Sequence, residues 1–505
     1  MPHCVFQIGL DRAHKYVLTR KSAHTSLPGH FFWQCLGCRI EETSVATTFN
    51  PAVAGDAPYL ERPTCDDLSH IPGSNGLPFV GNLFEVIKDI NRFQQRQIAR
   101  YGQLSRINMG LAKGILVTHP DHLRQVFTDP DESFSSAMGY EGPVSTLYGG
   151  SIITQDFSHH KASRRVFQTA FKRPALEGYV EVMNPTIREN IEQWGTQGDI
   201  RYVEAARKIL IDVGARVFFG TRPDGEQLRY IANLFHEMNY VGLMALAHRN
   251  IPGSRYWRGQ RAKRKMEALI LDVIHQRRAN PGNDLTSILA AERDDDGNLW
   301  PAEALLPHLN VLLFAAHDTT AGATSHMLMY LSQPENQHLQ EKLRQQAFAV
   351  DAENPTLADL DGLTDMENTT FEALRLHPAV ATIMRRTTRE VRIGDRDIPA
   401  DTMLFNMSHW AQRHPDYWTD PLRFDPDRFS EARKEHKGHS FQFLPFGGGA
   451  HKCIGMHFAL MNAKLILIHT LRRYRFELQP GYDCHCDVMP LPFPSKGLPL
   501  RVRPV

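Results

Sequence analysis

The ten residues FGGGAHKCIG, Phe446 to Gly455, present a single cysteine, Cys453, behind three glycines and just ahead of a long apolar run. Phe458, Met461, Leu465 and Ile468 mark one face of a following helix, so the sulfur lies at a helix N-terminus, where the dipole favours a thiolate. Glycines at 447, 448 and 449 would let the backbone pass close to a large planar group and aim N–H donors at a metal-bound sulfur. A second constellation is FEALRLHP, in which Glu372 and Arg375 share a helical face and are close enough to pair; Pro378 then ends that helix at His377. The third is AAHDTT, Ala315 to Thr320, which sets an acid, Asp318, beside a hydroxyl, Thr319, within an apolar helix where charge is costly. Two readings of that pair stand side by side. In one, Thr319 bonds back to its own helix and Asp318 pairs with a distant arginine; in the other, the pair moves protons.

An axial cysteine on a haem iron requires what the first stretch offers. Position by position, from Phe446 through Gly449, Ala450, His451 and Lys452 to Cys453, Ile454 and Gly455, the segment resembles the cysteine loop of the cytochrome P-450 family, the haem-thiolate monooxygenases. The family pattern recurs from about Ile71 to the C-terminus. The resemblance implies a mainly α fold with small β-sheets, in a single large haem-binding domain over residues 70–505. It implies haem b, held by Cys453 on iron with Phe446, Gly449 and His451 in the loop. His160 and Arg164 of HHKASRRVF, with His451 and either Arg385 or Arg386, would meet the two propionates. Arg428 of FDPDRF would join Glu372 and Arg375 in a buried charge network supporting the loop. Thr319 would steady dioxygen and Asp318 would relay protons while its O–O bond breaks, the thiolate pushing electron density from the other side. Ala316 departs from the family's usual glycine and would tighten the oxygen groove.

By the same resemblance the substrate pocket is lined by Met138, Tyr140, Leu147, Tyr240, Leu243, Ala315, Val380, Ile383 and Phe493. These are largely apolar and suit a lipophilic substrate that is sterol, terpenoid, retinoid or fatty-acid-like. The stretches RNIPGSRYWRG and LPFPSKGLPLRV are similar to the branch acting on sterols, terpenoids and retinoids, whereas the loop after Ser135 lacks the aromatic pattern of sterol 14-demethylases. Little chain follows Cys453, so NAD(P)H-derived electrons are expected from a separate ferredoxin or flavodoxin with its reductase. Arg165, Lys172, Arg173, Lys437 and Lys452 would form the basic face for it. Rival readings are a peroxygenase, which usually has Arg-Pro where Asp318-Thr319 stands; a non-redox isomerase or dehydratase, which needs no such pair; and a haem-thiolate gas or redox sensor.

The elements must position these groups within 505 residues that carry 57 basic and 56 acidic side chains, a balance that points away from nucleic acid. Seven cysteines, unevenly spread, fit a reducing compartment rather than a disulfide framework. Helical spacing runs through PTIRENIEQWG, EALILDVIHQRRA, the segment from Leu309 and HFALMNAKLILIHTLRRY, while LSRINMG with GILVTH and EVRIGDRDIP read as hairpins. No segment reads as a membrane span, leaving peripheral membrane contact, and the chain is expected to be soluble and cytoplasmic. Residues 1–69 read as a flexible extension; their few acids leave mitochondrial targeting as an alternative. Several motifs are set aside: Cys35–Cys38 and Cys484-His485-Cys486 lack a second ligand pair, His159-His160 lacks a third ligand, and the Asp294, Asp296, Asn298 spacing has Leu299 where a calcium loop needs glycine.

Overall fold

The computed structural model describes residues 67–505, apart from 111, 196–197, 243–249, 295 and 490. The readings of the N-terminal extension and of Cys35 and Cys38 fall outside the described residues, as does Leu243.

Helices dominate, arranged around one that is buried along its length. Ala302–Leu331 spans 30 residues, and a helix apolar on all sides holds its place only when neighbours surround it. The helices Tyr202–Phe219, Arg255–Ala279, Thr364–Leu376 and Met456–Arg473 pack against it. Gly449–Arg473 is long and apolar enough to cross a membrane, but most of it is buried inside the fold, with Leu465, Ile466, Leu467 and Ile468 fully covered. It is a core helix.

The segment expected to turn helical at PTIRENIEQWG belongs to a longer helix, Arg173–Glu192, with Pro185 in its interior. Proline removes one backbone hydrogen bond there. Packing compensates, because Met183, Ile187 and Ile191 are fully buried where the helix meets Tyr202–Phe219 and Met456–Arg473.

Both expected hairpins form. Leu104–Asn108 pairs with Lys113–Val117, and Val391–Ile393 with Arg396–Ile398. The first belongs to a five-stranded sheet in the order Leu104–Asn108, Lys113–Val117, Met403–Asn406, Ile383–Thr387, Phe134–Ser135. The parallel pairing of Lys113–Val117 with Met403–Asn406 explains why four of its five residues are buried. Gly114 permits that approach, since a Cβ would lie 2.2 Å from the Met403 carbonyl oxygen. Alternation splits the sheet's apolar residues between two clusters. Ile115, Val117 and Leu404 pack with Phe127, Phe441 and Leu444, toward the cysteine loop, whereas Leu116 and Phe405 pack with Ile90 and Phe93.

The central helix carries a titratable tie to the rest of the fold. His308 Nδ1 accepts the Ile152 amide at 3.1 Å, and its ring stacks on Phe167 at 4.4 Å. Burial, aided by repulsion from His160, keeps it neutral and lowers its pKa to about 3. Unfolded, the ring takes a proton near pH ~6.5, so this contribution is complete above that pH and is lost as pH falls toward the folded value. Urea unfolding at about pH 7 and about pH 5 is expected to show a smaller loss for His308→Gln than for the parent chain. Equal losses would show that His308 contributes nothing to the acid limb.

Candidate active site around Cys453

The cysteine loop is shaped by its protein neighbours. Gly447 N–H donates to the Leu444 carbonyl at 3.2 Å, and Cys453 N–H closes the loop on the Phe446 carbonyl at 2.9 Å. Gly447 and Gly449 have φ of +66° and +64°, a region that favours glycine. A Cβ on Gly449 would sit 1.6 Å from the Phe127 carbonyl oxygen, and one on Gly448 would sit 2.7 Å from the Phe441 ring. Two of the three glycines thus make room for protein backbone and a phenylalanine, which corrects the expectation that all three clear space for a planar group. Gly447 meets only Ile383, at 3.6 Å.

Cys453 is exposed and precedes the cap of the Met456–Arg473 helix, whose N-cap is Gly455. Protein atoms crowd the sulfur although the side chain still reaches solvent, and this desolvation raises the thiol's pKa, opposed by the Gly455 N–H on the sulfur and by the charges of Arg164 and Lys452. The donor to sulfur foreseen from the glycines is the Gly455 amide.

The charge network forms beneath the loop. Glu372 holds Arg375 in a fork at 2.7 and 2.8 Å and takes Arg428 Nε at 3.0 Å, all three side chains being fully buried. Sequence reading missed two members. Glu435 pairs with Arg428 at 2.9 Å, so two carboxylates balance two guanidinium groups. Gln412, fully buried, accepts the Leu444 amide at 3.0 Å while its own carbonyl accepts from Arg375 at 2.7 Å. Gln412 therefore links the arginine to the start of the cysteine loop; no sequence motif marks it.

Two arginines, Arg164 and Arg385, and two neutral histidines, His160 and His451, collect beside the loop. The His160 and His451 rings stack at 3.7 Å, and the charge of Arg385 acts on both. Burial, reinforced by Arg164 and Arg385, lowers His160 to about 4; burial, then Arg385, His160 and Arg164, lowers His451 to about 2. Among the described residues, His160, Arg164, Arg385 and His451 form no ion pair. Asp156, which faces Arg385, accepts from Ser135 and the Ser136 amide instead. The strand Ile383–Thr387 separates the adjacent arginines: Arg385 is buried in this cluster, while Arg386 pairs with Glu141 and Asp401 at 2.9 and 2.8 Å. Two arginines that form no ion pair among the described residues, beside two imidazoles able to donate, fit a ligand bearing two carboxylates, as haem does.

On the central helix, Thr319 donates to the Ala315 carbonyl at 2.5 Å, and Ala315 is exposed although most of that helix is buried. Asp318 is 2% exposed and pairs with Arg207 Nε at 3.0 Å. The bland reading of both side chains is thus what this conformation contains. Of the expected pocket residues, Ala315 and Val380 are exposed, Ile383 and Tyr140 partly so, and Met138 and Leu147 are buried. Tyr240 contacts Arg207 through its hydroxyl, and Phe493 stacks on the Arg207 guanidinium at 4.4 Å.

Cys486, set aside for want of partners, has two: its sulfur and one ligand atom each of His326 and His377 lie within 4.8 Å of one another. The two rings stack parallel, 4.4 Å apart and 4° from coplanar directions, so their in-plane lone pairs cannot converge on one ion as they stand. His326 instead donates through Nδ1 to the Gly322 carbonyl and accepts the Cys486 thiol at 3.4 Å. This cluster is packed as a neutral hydrogen-bonded group.

Removing the network's carboxylate strands two buried arginines, so Glu372→Gln is expected to lose about 3–5 kcal/mol in urea unfolding, against at most about 1 kcal/mol for Arg173→Ala at an exposed pair. Similar losses would deny the network its role. Gly449→Ala should destabilise more than Gly447→Ala, since both strain φ but only Gly449 meets backbone; the reverse order would mean that the loop is not set by Phe127.

Residues 71–496 match the family described as cytochrome P450. A putative cytochrome P450 136 from Mycobacterium tuberculosis is 31% identical over 453 residues, covering 88% of this chain and 90% of that protein. A cyclooctat-9-en-7-ol 5-monooxygenase from Streptomyces melanosporofaciens is 27% identical, covering 81% and 90%. The solved structure of retinoic acid bound cyanobacterial CYP120A1 superposes with a TM-score of 0.78 at 24% identity, over 86% of this chain and 99% of that one, which shows the shared fold. With its family matched over most of its length and its thiol loop braced by the expected charge network, the chain belongs to the cytochrome P450 family of haem-thiolate monooxygenases.

Proposed function

We propose that this cytochrome P450 inserts one atom of O2 into a C–H bond of a lipophilic molecule of terpenoid, sterol, retinoid or fatty-acid-like kind, using electrons from a separate ferredoxin or flavodoxin and its reductase. The observation that carries this reading is the cluster of His160, Arg164, Arg385 and His451 beside the exposed Cys453 thiol, which sets a metal ligand next to two arginines that form no ion pair among the described residues.

Cys453 is the ligand for haem iron in this reading, and Arg385 rather than Arg386 meets a propionate, because Arg386 already serves two acids. Bound haem supplies the activation of dioxygen; the chain supplies the rest. The Gly455 N–H, Arg164 and Lys452 lower the charge density on the sulfur. The Thr319 hydroxyl, which donates to the carbonyl of exposed Ala315, would hold a proton at its oxygen. Asp318, one residue before, is the acid that resupplies it. Val380, Ile383 and Ala315, all apolar and at least partly exposed, would offer an apolar surface to the substrate.

The substrate class is supported by that lining and by relatives named for oxidising compounds such as cyclooctat-9-en-7-ol. For the electron donor, Lys172, Lys437 and Lys452 are exposed, while Arg173 is occupied by Glu177 and Asp361 at 3.2 and 2.9 Å and adds less free charge than its sequence position suggested.

The deciding measurement is the carbon monoxide difference spectrum of the dithionite-reduced protein. Wild type and Cys486→Ala are expected to give the red-shifted Soret band of a thiolate-ligated haem, and Cys453→Ala to lose it. A band that survives Cys453→Ala, or that vanishes with Cys486→Ala, would sink the assignment of the ligand.

A further inference from the structure

Cys486 and His326 take no part in the chemistry above. The sulfur lies at the start of the short strand Cys486–Asp487, partly exposed, while His326 is fully buried on the central helix. One contact joins them, Cys486 Sγ to His326 Nε2 at 3.4 Å. The imidazole is fixed for that contact from two sides. Its Nδ1 meets the Gly322 carbonyl at 2.9 Å, one turn back on the same helix, which places the proton on Nδ1 and leaves the Nε2 lone pair for the sulfur. The His377 ring covers its face at 4.4 Å and 4°, and His377 Nε2 is itself engaged by the Tyr330 hydroxyl at 2.9 Å.

A histidine whose Nδ1–H rests on a backbone carbonyl while its Nε2 faces a thiol has the orientation of a metal ligand whose outer support is already built. Three ligands are excluded, because the stacked rings cannot aim both lone pairs at one point. Two are not. Zinc-like bonds of about 2.3 Å to sulfur and about 2.0 Å to nitrogen span about 3.5 Å when bent tetrahedrally and about 4.3 Å when straight. From the observed 3.4 Å the sulfur need move by less than about 1 Å, and its partial exposure gives it room. Charge decides which ion fits. Arg413 is the strongest charge acting on this sulfur, ahead of Asp487 and Asp483, and it acts on His326 and His377 as well. Among the described residues Arg413 forms no ion pair: its Nη2 donates to the Leu376 carbonyl and its Nε finds no partner. A divalent ion on one thiolate would add net positive charge beside that guanidinium, where burial makes charge costly. A monovalent ion that replaces the thiol proton leaves the charge of the cluster unchanged.

We propose that Cys486 and His326 form a two-coordinate site for a soft monovalent cation, Cu(I). The step is an exchange: the S–H bond breaks, the ion bonds to the sulfur and to the His326 Nε2 lone pair, one proton leaves to water, and copper stays Cu(I) throughout. Thiolate and imidazole suit such an ion, the thiolate selecting it by softness. Held there, the ion fastens the strand Cys486–Asp487 to the central helix. Its partner strand, Phe493–Pro494, already packs on that helix beside Gly322, one turn before His326, so the ion closes a second attachment of the same hairpin.

The test is Cu(I) binding to the purified holoprotein, kept reduced and free of oxygen, in competition with bicinchoninate as a coloured chelator. Cys35 and Cys38, outside the described residues, are a competing thiol pair, so the measurement uses the full chain carrying Cys35→Ser and Cys38→Ser. One Cu(I) per chain is expected, with one proton released. Cys486→Ala should bind it at least about a hundredfold more weakly, and Cys484→Ser should retain it. X-ray absorption at the copper edge should show one sulfur and one nitrogen neighbour, and Zn(II) in the same assay should leave the site empty. The proposal is overturned by absence of a bound ion, by binding that survives Cys486→Ala or is lost in Cys484→Ser, by neighbours of sulfur alone, or by Zn(II) held as tightly as Cu(I) and lost with Cys486→Ala. Should Cys486→Ala fail to fold, Cys486→Ser, which keeps a donor to His326 without the soft sulfur, decides by the same readout.

Discussion

One buried carboxylate organises the support of this active site. Glu372 accepts from two arginines in a place that excludes water, and each guanidinium uses its remaining donors on backbone carbonyls, Arg375 on those of Gln412 and Pro421 and Arg428 on those of Thr419 and Asp420. The Arg375 guanidinium also lies 5.0 Å over the Trp418 ring. Charges buried this way are tolerated only when nearly every donor is satisfied, so segments 411–413 and 419–429 must adopt the one arrangement that presents those carbonyls. Gln412 passes the constraint to Leu444, and Leu444, through the Gly447 turn, to Cys453. The sulfur's position is thus the far end of a chain of hydrogen bonds that begins in a different helix.

The distal half of the site is governed by a different balance. There the polar groups are few and the surroundings apolar, and Asp318 is stable only because Arg207, His317 and Tyr240 surround it. Glu372, Arg375 and Arg428 are fully buried; the Arg207 pair is open to water on one side. That difference separates a fixed support from a contact able to break. The cluster of Arg164, Arg385, His160 and His451 is neither: the arginines' charges and burial hold both histidines neutral.

Much of this was legible in the residues, and the misses have physical reasons. The cysteine loop, the Glu372–Arg375 spacing and both hairpins follow from local rules, where three to ten neighbouring residues determine the outcome. Gln412 was invisible because its task depends on a fold contact between distant segments, and nothing about an isolated glutamine marks it. The same holds for Arg207, which lies 111 positions from Asp318. Arg385 and Arg386 could not be told apart in sequence, since the pleat that gives them opposite faces depends on the pairing of Ile383–Thr387 with Met403–Asn406. Gly448 and Gly449 make room for protein rather than for a ligand, because sequence shows where a Cβ is missing and not what occupies its place. Cys486 erred the other way: judged by its neighbours in the chain it has no partners, and in the fold it has two histidines.

The packing of Gly449 on the Phe127 carbonyl bears on how the cofactor is acquired. A loop whose turns are fixed by Phe127, Phe441 and a glutamine is a preorganised socket. Its conformational entropy is surrendered when the polypeptide folds, so little ordering of that segment remains to oppose capture. Affinity then reflects how well a rigid shape is matched, and the slow step of loading shifts from assembling the receptor to admitting the guest past the elements that enclose it.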